Sequence, residues 1–285
     1  MTAPLTKIKN AGVYKTVVGL ETKLGGAWTK IGKGQVNDNG VWKTFFKIKT
    51  VVTLDQNAEN INLDTHPLLT ANNGVAFLGD VDVIIDGDTF IYSADTSIPA
   101  FRTGTKIEGI LKLIFNDGQI RGAGGDGGAG NRGFNNGHAG SPGGIGLFLE
   151  KDVTVDNNNS GSFAHVLGGG GGGGGGSGGQ NYHGGFRNEN TFGSGGGGGG
   201  GVCFGSGASG GAGAGSGGNA DLNSVGGGGS RTVDDGADGG VGGAGGVPGA
   251  AGSAGANTNS GGSVGGAGGA AGTAIKENGF TITAV

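Results

Sequence analysis

Two stretches hold the residues best suited to chemistry at a surface. One is Asn131-Arg132-Gly133-Phe134-Asn135-Asn136-Gly137-His138; the other runs from Gln180 to Phe192 and contains Tyr182, His183, Phe186, Arg187 and Phe192. Aromatic rings and guanidinium groups bury much area while keeping a polar handle, which is why they dominate binding hot spots. That chemistry is recognition. The groups needed for bond-breaking or metal binding do not assemble in the sequence. His66, His138, His165 and His183 share no metal-ligand spacing. Cys203 is the sole cysteine and has no histidine near it, so neither a disulfide nor a thiolate pair is read. Asp80, Asp82, Asp86 and Asp88 interleave with Val81 and Val83, the pattern of a strand with a polar face, and the EF-hand spacing is not met. Gly124 to Gly130, with Asp126, approaches a calcium-binding nonapeptide but lacks its aliphatic position. A G-x-G-x-x-G match carries no information in a chain with 77 glycines. No catalytic residue, metal or cofactor is expected.

What must position the recognition residues is glycine. Residues 1–120 hold 13 of the 77 glycines, so the composition changes near residue 121. Beyond it several stretches repeat every three residues, with two glycines and one small residue. Gly239-Gly240-Val241-Gly242-Gly243-Ala244-Gly245-Gly246-Val247 is the clearest, and Gly168 to Gly176 and Gly195 to Gly201 are pure glycine. Three residues per turn, rising about 3.1 Å each, is polyproline II geometry. Such helices bond backbone to backbone side by side only where no Cβ intervenes. A helix surrounded on all sides must then be all glycine, and a surface helix can carry one side chain in three. Both patterns are present, so Gly172 and Gly198 are expected to have no room for a methyl group. Collagen is excluded by the five prolines. A flexible glycine linker has no reason to keep a three-residue frame. An antifreeze or cell-wall glycine protein would show a flat Thr-rich or Ala-rich face.

The remainder reads as β structure. Tyr14, Trp28 and Trp42 each stand at the third position of units that begin at Gly12, Gly26 and Gly40, a spacing of 14 residues. Turn residues followed by β-branched and aromatic residues suggest a small meander of three related units. Further strand candidates lie at 51–54, 61–63, 81–85, 90–92, 110–115, 147–149, 153–155 and 280–283. The fold class expected is a mainly β N-terminal part followed by a polyglycine II bundle, with essentially no α-helix. Four regions follow: residues 1–50, a β-repeat module; 51–121, a second β module; 122–273, a glycine-rich domain with end loops; and 274–285, a C-terminal strand returning to the β region. Residues 1–50 carry nine lysines against Glu21 and Asp38, while the whole chain has a net charge of −4. A basic module on an acidic remainder suggests a docking surface, with a solvated lysine face the plainer reading. No signal peptide is read in Met1 to Asn10, and no stretch approaches the roughly 18 apolar residues of a membrane span.

Glycine helices that run alternately out and back divide their loops between two ends. With runs at 122–130, 139–146, 168–179, 193–201, 207–218, 226–229, 239–255 and 261–272, the loops far from the β region are 131–138, 180–192, 219–225 and 256–260. The binding residues expected there are Arg132, Phe134, Asn135, His138, Tyr182, His183, Phe186, Arg187, Phe192, Asn219, Leu222 and Asn257. Loops 147–167, 202–206 and 230–238 fall at the near end. Capping of the bundle ends is the other role open to the aromatics.

Ile114-Phe115-Asn116-Asp117-Gly118-Gln119-Ile120-Arg121-Gly122-Ala123-Gly124-Gly125 resembles the junction in many phage tail proteins at which a β region runs into a glycine-rich tract. The tract is similar to the tip adhesins of T-even-like long tail fibres. That resemblance implies a polyglycine II sandwich whose end loops bind a bacterial outer-surface receptor, an outer-membrane protein or surface glycan. It also implies a place on the phage virion tail, with a tail-fibre or tail-tip protein as the partner of residues 1–50 through Tyr14, Trp28 and Trp42. Neither nucleic acid nor membrane insertion is expected. A purely structural tail-tip or decoration protein is the second reading, and a tail protein that degrades surface polysaccharide is the third.

Overall fold

The computed structural model describes residues 7–10, 13–16, 21–24, 27–30, 33–38, 41–47, 49–70, 79–133, 135–157, 165–182, 190–210, 214–234, 237–258 and 263–284; for those among 7–47 and for 68, 70, 157, 180–182, 190–193, 233–234 and 237 it describes the backbone alone. The N-terminal repeat is a repeat of hairpins. β1 (Lys7–Asn10) pairs with β2 (Val13–Thr16), β3 (Glu21–Leu24) with β4 (Ala27–Lys30), and β5 (Lys33–Asp38) with β6 (Val41–Lys47), all antiparallel. Tyr14, Trp28 and Trp42 are each the second residue of the returning strand, opposite Lys9, Lys23 and Asn37. Each unit is its own two-stranded sheet, so the three do not form the continuous meander expected from the spacing.

From Lys49 the chain winds as a solenoid of parallel strands. β7 (Lys49–Leu54), β8 (Ala58–Glu59) and β9 (Ile61–Asn62) make the first coil. A single helical turn, α1 (Pro67–Thr70), follows; it is the only helical element among the described residues. β10 (Asp80–Asp86), β11 (Phe90–Tyr92) and β12 (Phe101–Arg102) repeat the path, as do β13 (Leu111–Asn116), β14 (Gln119–Arg121) and β15 (Leu147–Phe148). β16 (Val153–Asn157) and β17 (Val166–Leu167) begin a fourth coil. Within the glycine region β18 (Gly179–Tyr182) pairs with β19 (Asn190–Gly193), and β20 (Val233–Asp234) with β21 (Ala237–Asp238), both antiparallel. β22 (Ile275–Lys276) and β23 (Ile282–Ala284) then complete the solenoid. The coils stack into three sheets, ordered β7-β10-β13-β16-β23, β8-β11-β14-β17 and β9-β12-β15-β22.

Parallel neighbours cannot be joined by a tight turn. Here the rest of each coil is the connection. Like residues therefore stack in register: Val52, Val83, Leu113 and Val155 on the first sheet; Ala58, Ile91, Ile120 and Val166 on the second; Ile61, Phe101, Leu147 and Ile275 on the third. Most of these are fully buried and form one core. The alternate positions face outward, where Lys49 pairs with Asp82 and Lys112 with Asp156. Asp82 is thus a polar-face residue of β10, with Val81 and Val83 turned into the core.

The glycine tract enters the solenoid as two insertions at the same corner. Residues 122–146 lie between β14 and β15, and 168–274 between β17 and β22, so both leave the second sheet and return to the third. Strands β15, β16 and β17 belong to the solenoid although they fall within 122–273.

Backbone hydrogen bonds give the direction of every glycine segment. Gly125, Gly128 and Asn131 donate to Gly170, Gly173 and Gly176, so 122–131 and 168–178 run parallel; His138, Ser141 and Gly144 donate to Ala129, Asp126 and Ala123, so 137–146 runs back. Extended through the whole network, segments 122–131, 168–178, 205–210, 226–230 and 250–256 run outward, and 137–146, 194–202, 214–220, 239–247 and 264–274 return.

Segment 168–178 is surrounded. Its N–H groups donate to three neighbours in rotation: Gly169, Gly172 and Gly175 to 137–146; Gly171, Gly174 and Ser177 to 250–256; Gly173 and Gly176 to 194–202. Its carbonyls accept in the same rotation from 122–131, 239–247 and 264–274. Segment 194–202 likewise bonds to 122–131, 168–178, 205–210, 214–220, 226–230 and 239–247. The two pure-glycine runs are therefore the two segments with neighbours on all six sides. A Cβ on Gly172 would lie 1.9 Å from the Asp126 carbonyl oxygen, and one on Gly198 would lie 2.1 Å from that of Gly173. Around the outside, Val241, Val247 and Val264 point to solvent.

Candidate functional site

The segments meet in turns at two ends. The near end joins the solenoid and includes turns 202–205, 220–226 and 247–250; the far end holds turns 131–137, 178–194, 210–214, 230–239 and 256–264. Near-end turns are anchored to the solenoid's second sheet. The Arg121 guanidinium donates to the Leu222 carbonyl at 2.8 Å and to Asn223 Oδ1 at 2.9 Å, and lies over the Phe90 ring at 4.0 Å. Tyr92 and Phe204 pack with ring centroids 5.2 Å apart. Cys203 is buried at this junction, and that burial pushes its thiol up to about 11 against the opposing pull of Arg121. Its position inside a packed anchor makes it an inert, structural cysteine.

At the far end the loops are tied at their bases. Arg132 and Ser194 form a bridge, and Gly178 donates to the Asn135 carbonyl at 3.1 Å. Ser194 N–H donates to Thr232 Oγ1 at 2.9 Å, and Thr232 N–H returns a bond to the Ser194 carbonyl at 3.0 Å. Asn136 Oδ1 accepts from Val264 N–H and Asn257 Oδ1 from Gly265 N–H, each at 2.9 Å. The Thr258 hydroxyl donates to the Asp238 carbonyl, and Arg231 pairs with Asp238 at 3.6 Å. Side-chain amides thus close the loop bases, and four of the five turns are knitted into one surface. Loops fixed on a rigid scaffold are where recognition residues commonly sit.

The structure brings Arg132, Asn135, His138, Tyr182, Phe192 and Asn257 to this end. Arg132, Asn135, His138 and Asn257 are exposed. Tyr182 and Phe192 lie in β18 and β19, opposite Asn190 and Gln180. Phe134, His183, Phe186 and Arg187 lie outside the described residues. Asn219 and Leu222 do not belong here. Asn219 Oδ1 accepts from Gly207 N–H at 2.9 Å and the Leu222 carbonyl binds Arg121, which puts loop 219–225 at the near end. Conversely 230–238 is at the far end, so Arg231, Thr232 and Asp238 join the surface although the sequence reading placed that loop near the solenoid.

The cause is one uncounted turn. Run 207–218 is two segments, because Ala208 pairs with Gly217 and Gly205 with Ala220 in antiparallel register. The visible signal was the Gly211-Ala212-Gly213-Ala214-Gly215 stretch, where the frame drops from three residues to two. Run 239–255 is also two segments, hinged at Val247-Pro248-Gly249-Ala250. Ala250 N–H donates to the Val247 carbonyl at 2.9 Å and Gly249 has φ +74°, the proline–glycine signature of a type II turn. This second missed turn restores the alternation and leaves 256–260 at the far end. Segment 226–230 does cross, bonding to both 194–202 and 214–220.

Three comparisons with known proteins bear on this architecture. A family model described as phage tail fibre adhesin Gp38 matches residues 49–285. No curated protein matches the chain. Among solved structures, the gp37–gp38 adhesin tip complex of the bacteriophage S16 long tail fibre is similar at 21% identity, with a TM-score of 0.46, over 84% of this chain and 79% of that chain.

Proposed function

The chain belongs to the phage tail fibre adhesin Gp38 family, and from that premise we propose that it attaches the virion to a bacterial cell through the far-end loops. Family membership accounts for the coarse role, an adhesin of the phage tail, and we read that role as non-enzymatic. The observation that carries the finer reading is the convergence of turns 131–137, 178–194, 230–239 and 256–264 on one end, opposite the solenoid. A surface receptor, protein or glycan, would meet Arg132, Asn135, His138 and Asn257, with Phe134, Tyr182, His183, Phe186, Arg187 and Phe192 supplied by the first two loops. Aromatic and guanidinium groups there suit a contact that buries area while keeping hydrogen-bonding tips.

We read the bundle beneath as polyglycine II. Support comes from the three-residue rotation of donors and acceptors along 168–178 and from the lack of space for any Cβ inside it. The hairpins of residues 7–47 precede the family match and carry the equivalent Tyr14, Trp28 and Trp42, which suits them to hold a tail-fibre or tail-tip protein.

The test exchanges the tips while keeping their bases. Replacing residues 180–192 with a Gly-Ser hairpin should abolish adsorption of phage to host cells while particles still assemble. Unchanged adsorption would refute the far-end reading. Loss of particles would point to a structural part, and release of sugar from host envelopes to an enzyme.

A further inference from the structure

Two Asn-Gly pairs lie among the described residues, and they differ in the hydrogen bonding of the two groups that react in spontaneous deamidation. At Asn136-Gly137 both reacting groups are engaged. Asn136 Oδ1 accepts from Val264 N–H at 2.9 Å, and Gly137 N–H donates to the Val264 carbonyl at 3.0 Å. The side chain and the attacking amide are held to the same neighbouring residue and cannot approach each other. At Asn278-Gly279 neither is engaged. Both residues are exposed, the Asn278 side chain makes no hydrogen bond, and Gly279 N–H has no acceptor. They occupy the centre of a two-residue turn between β22 and β23, with φ +52° and +85°, closed by Phe280 N–H on the Glu277 carbonyl at 2.9 Å. That is the type I′ turn for which Asn-Gly is the preferred pair.

We propose that Asn278 is a site of spontaneous deamidation and isoaspartate formation in the folded protein, and that Asn136 is protected. The Gly279 backbone nitrogen attacks Asn278 Cγ, forming a C–N bond. The side-chain amide C–N bond breaks, and ammonia departs with the proton lost by the attacking amide. Water then opens the resulting five-membered imide at either carbonyl, giving aspartate or isoaspartate. One ammonia leaves and one water is consumed, so water is the only co-reactant. Glycine at 279 presents no Cβ to obstruct the attack.

The position gives the reaction a structural consequence. Isoaspartate inserts a methylene into the main chain of a turn that sets the register of β23 on β16, where Val153 faces Ile282 and Val155 faces Ala284. Thr281, two residues after Gly279, is fixed by its N–H and hydroxyl on Asp152 Oδ1 at 2.8 and 2.9 Å. The added atom cannot be absorbed on that side without loosening the final strand of the solenoid.

Peptide mapping by mass spectrometry after incubation of the full chain in ¹⁸O-labelled water, at warm and mildly alkaline conditions, tests this. In the folded protein, label should enter at residue 278 as aspartate and isoaspartate while Asn136 stays intact. In urea, both pairs should react at comparable rates, because the flanking glycine is the same. Labelling of Asn136 as fast as Asn278 in the folded protein, or absence of reaction at Asn278 under folded conditions, would overturn the proposal.

Discussion

Replacing Gly172 with Ala adds one carbon to the middle of the most enclosed segment. That Cβ would stand 1.9 Å from the Asp126 carbonyl oxygen and 2.3 Å from its carbon, whereas real Cβ contacts stay beyond 3.0 Å. Segment 122–131 must therefore withdraw by about an ångström, and the obstacle is backbone, not a side chain that can swing away. The withdrawal stretches Gly125 N–H to Gly170 and Gly128 N–H to Gly173, both 2.8 Å now, beyond useful range. Two buried hydrogen bonds at about 1 kcal/mol each, more where a group is left unsatisfied, add to an overpacking cost of about 1–3 kcal/mol. Reduced entropy of the unfolded chain returns about 0.4–1 kcal/mol. The expected net loss is about 2–5 kcal/mol, a fall in melting temperature on the order of 10 °C. Gly227 is the control: it lies in an outer segment, and a Cβ there meets nothing within 4 Å. Gly227→Ala should be neutral or stabilising by about 0.5 kcal/mol. Paired thermal and urea melts of the two variants measure the difference. If Gly172→Ala melts with Gly227→Ala, the glycine runs are not packed as described and the steric argument fails.

Gly249→Ala tests backbone strain without crowding, since φ is +74° and the nearest atom to a Cβ is Leu167 Cδ2 at 3.9 Å; urea melts should show a loss of about 1–2 kcal/mol. Cys203, with its thiol pushed up to about 11, should resist iodoacetamide at neutral pH in the folded protein and react promptly in urea, as quenched-labelling mass spectra would show. Asp64 is held below its ordinary 3.8: burial alone would raise it, but the N–H groups of Thr105 and Lys106, both at 2.8 Å, and the Thr105 hydroxyl outweigh that. A carboxylate lowered in the folded state stabilises the fold above pH 3.8, and the contribution disappears as pH falls through the folded value. Asp64→Ala should therefore be less stable than the parent at neutral pH and converge with it in acid, read from denaturation midpoints across pH.

Composition and period alone made the glycine region legible. A three-residue frame with pure-glycine runs at 168–176 and 195–201 states which segments tolerate no side chain, because a Cβ is forbidden wherever another backbone approaches. The strand positions of the β region were legible for a similarly local reason, since Val81, Val83 and Ile85 alternate with Asp80, Asp82 and Ile84 whatever sheet they join. The two aromatic-rich stretches, 131–138 and 180–192, also stood out as interruptions in the glycine.

What tertiary structure decided was pairing. Alternation cannot distinguish a parallel neighbour from an antiparallel one, and insertions of 25 and 107 residues between successive strands of the third coil and of the fourth hid the solenoid's period. It also decided which loops share an end. A glycine backbone reverses at little steric cost, so segments 205–210 and 214–220 run in opposite directions with none of the sequence punctuation that marks turns elsewhere between them, and that one reversal moves Arg231 and Asp238 to the far surface and Asn219 and Leu222 away from it. Glycine's missing side chain makes the packing readable in the sequence and, for the same reason, leaves the path of the chain to the hydrogen bonds between segments.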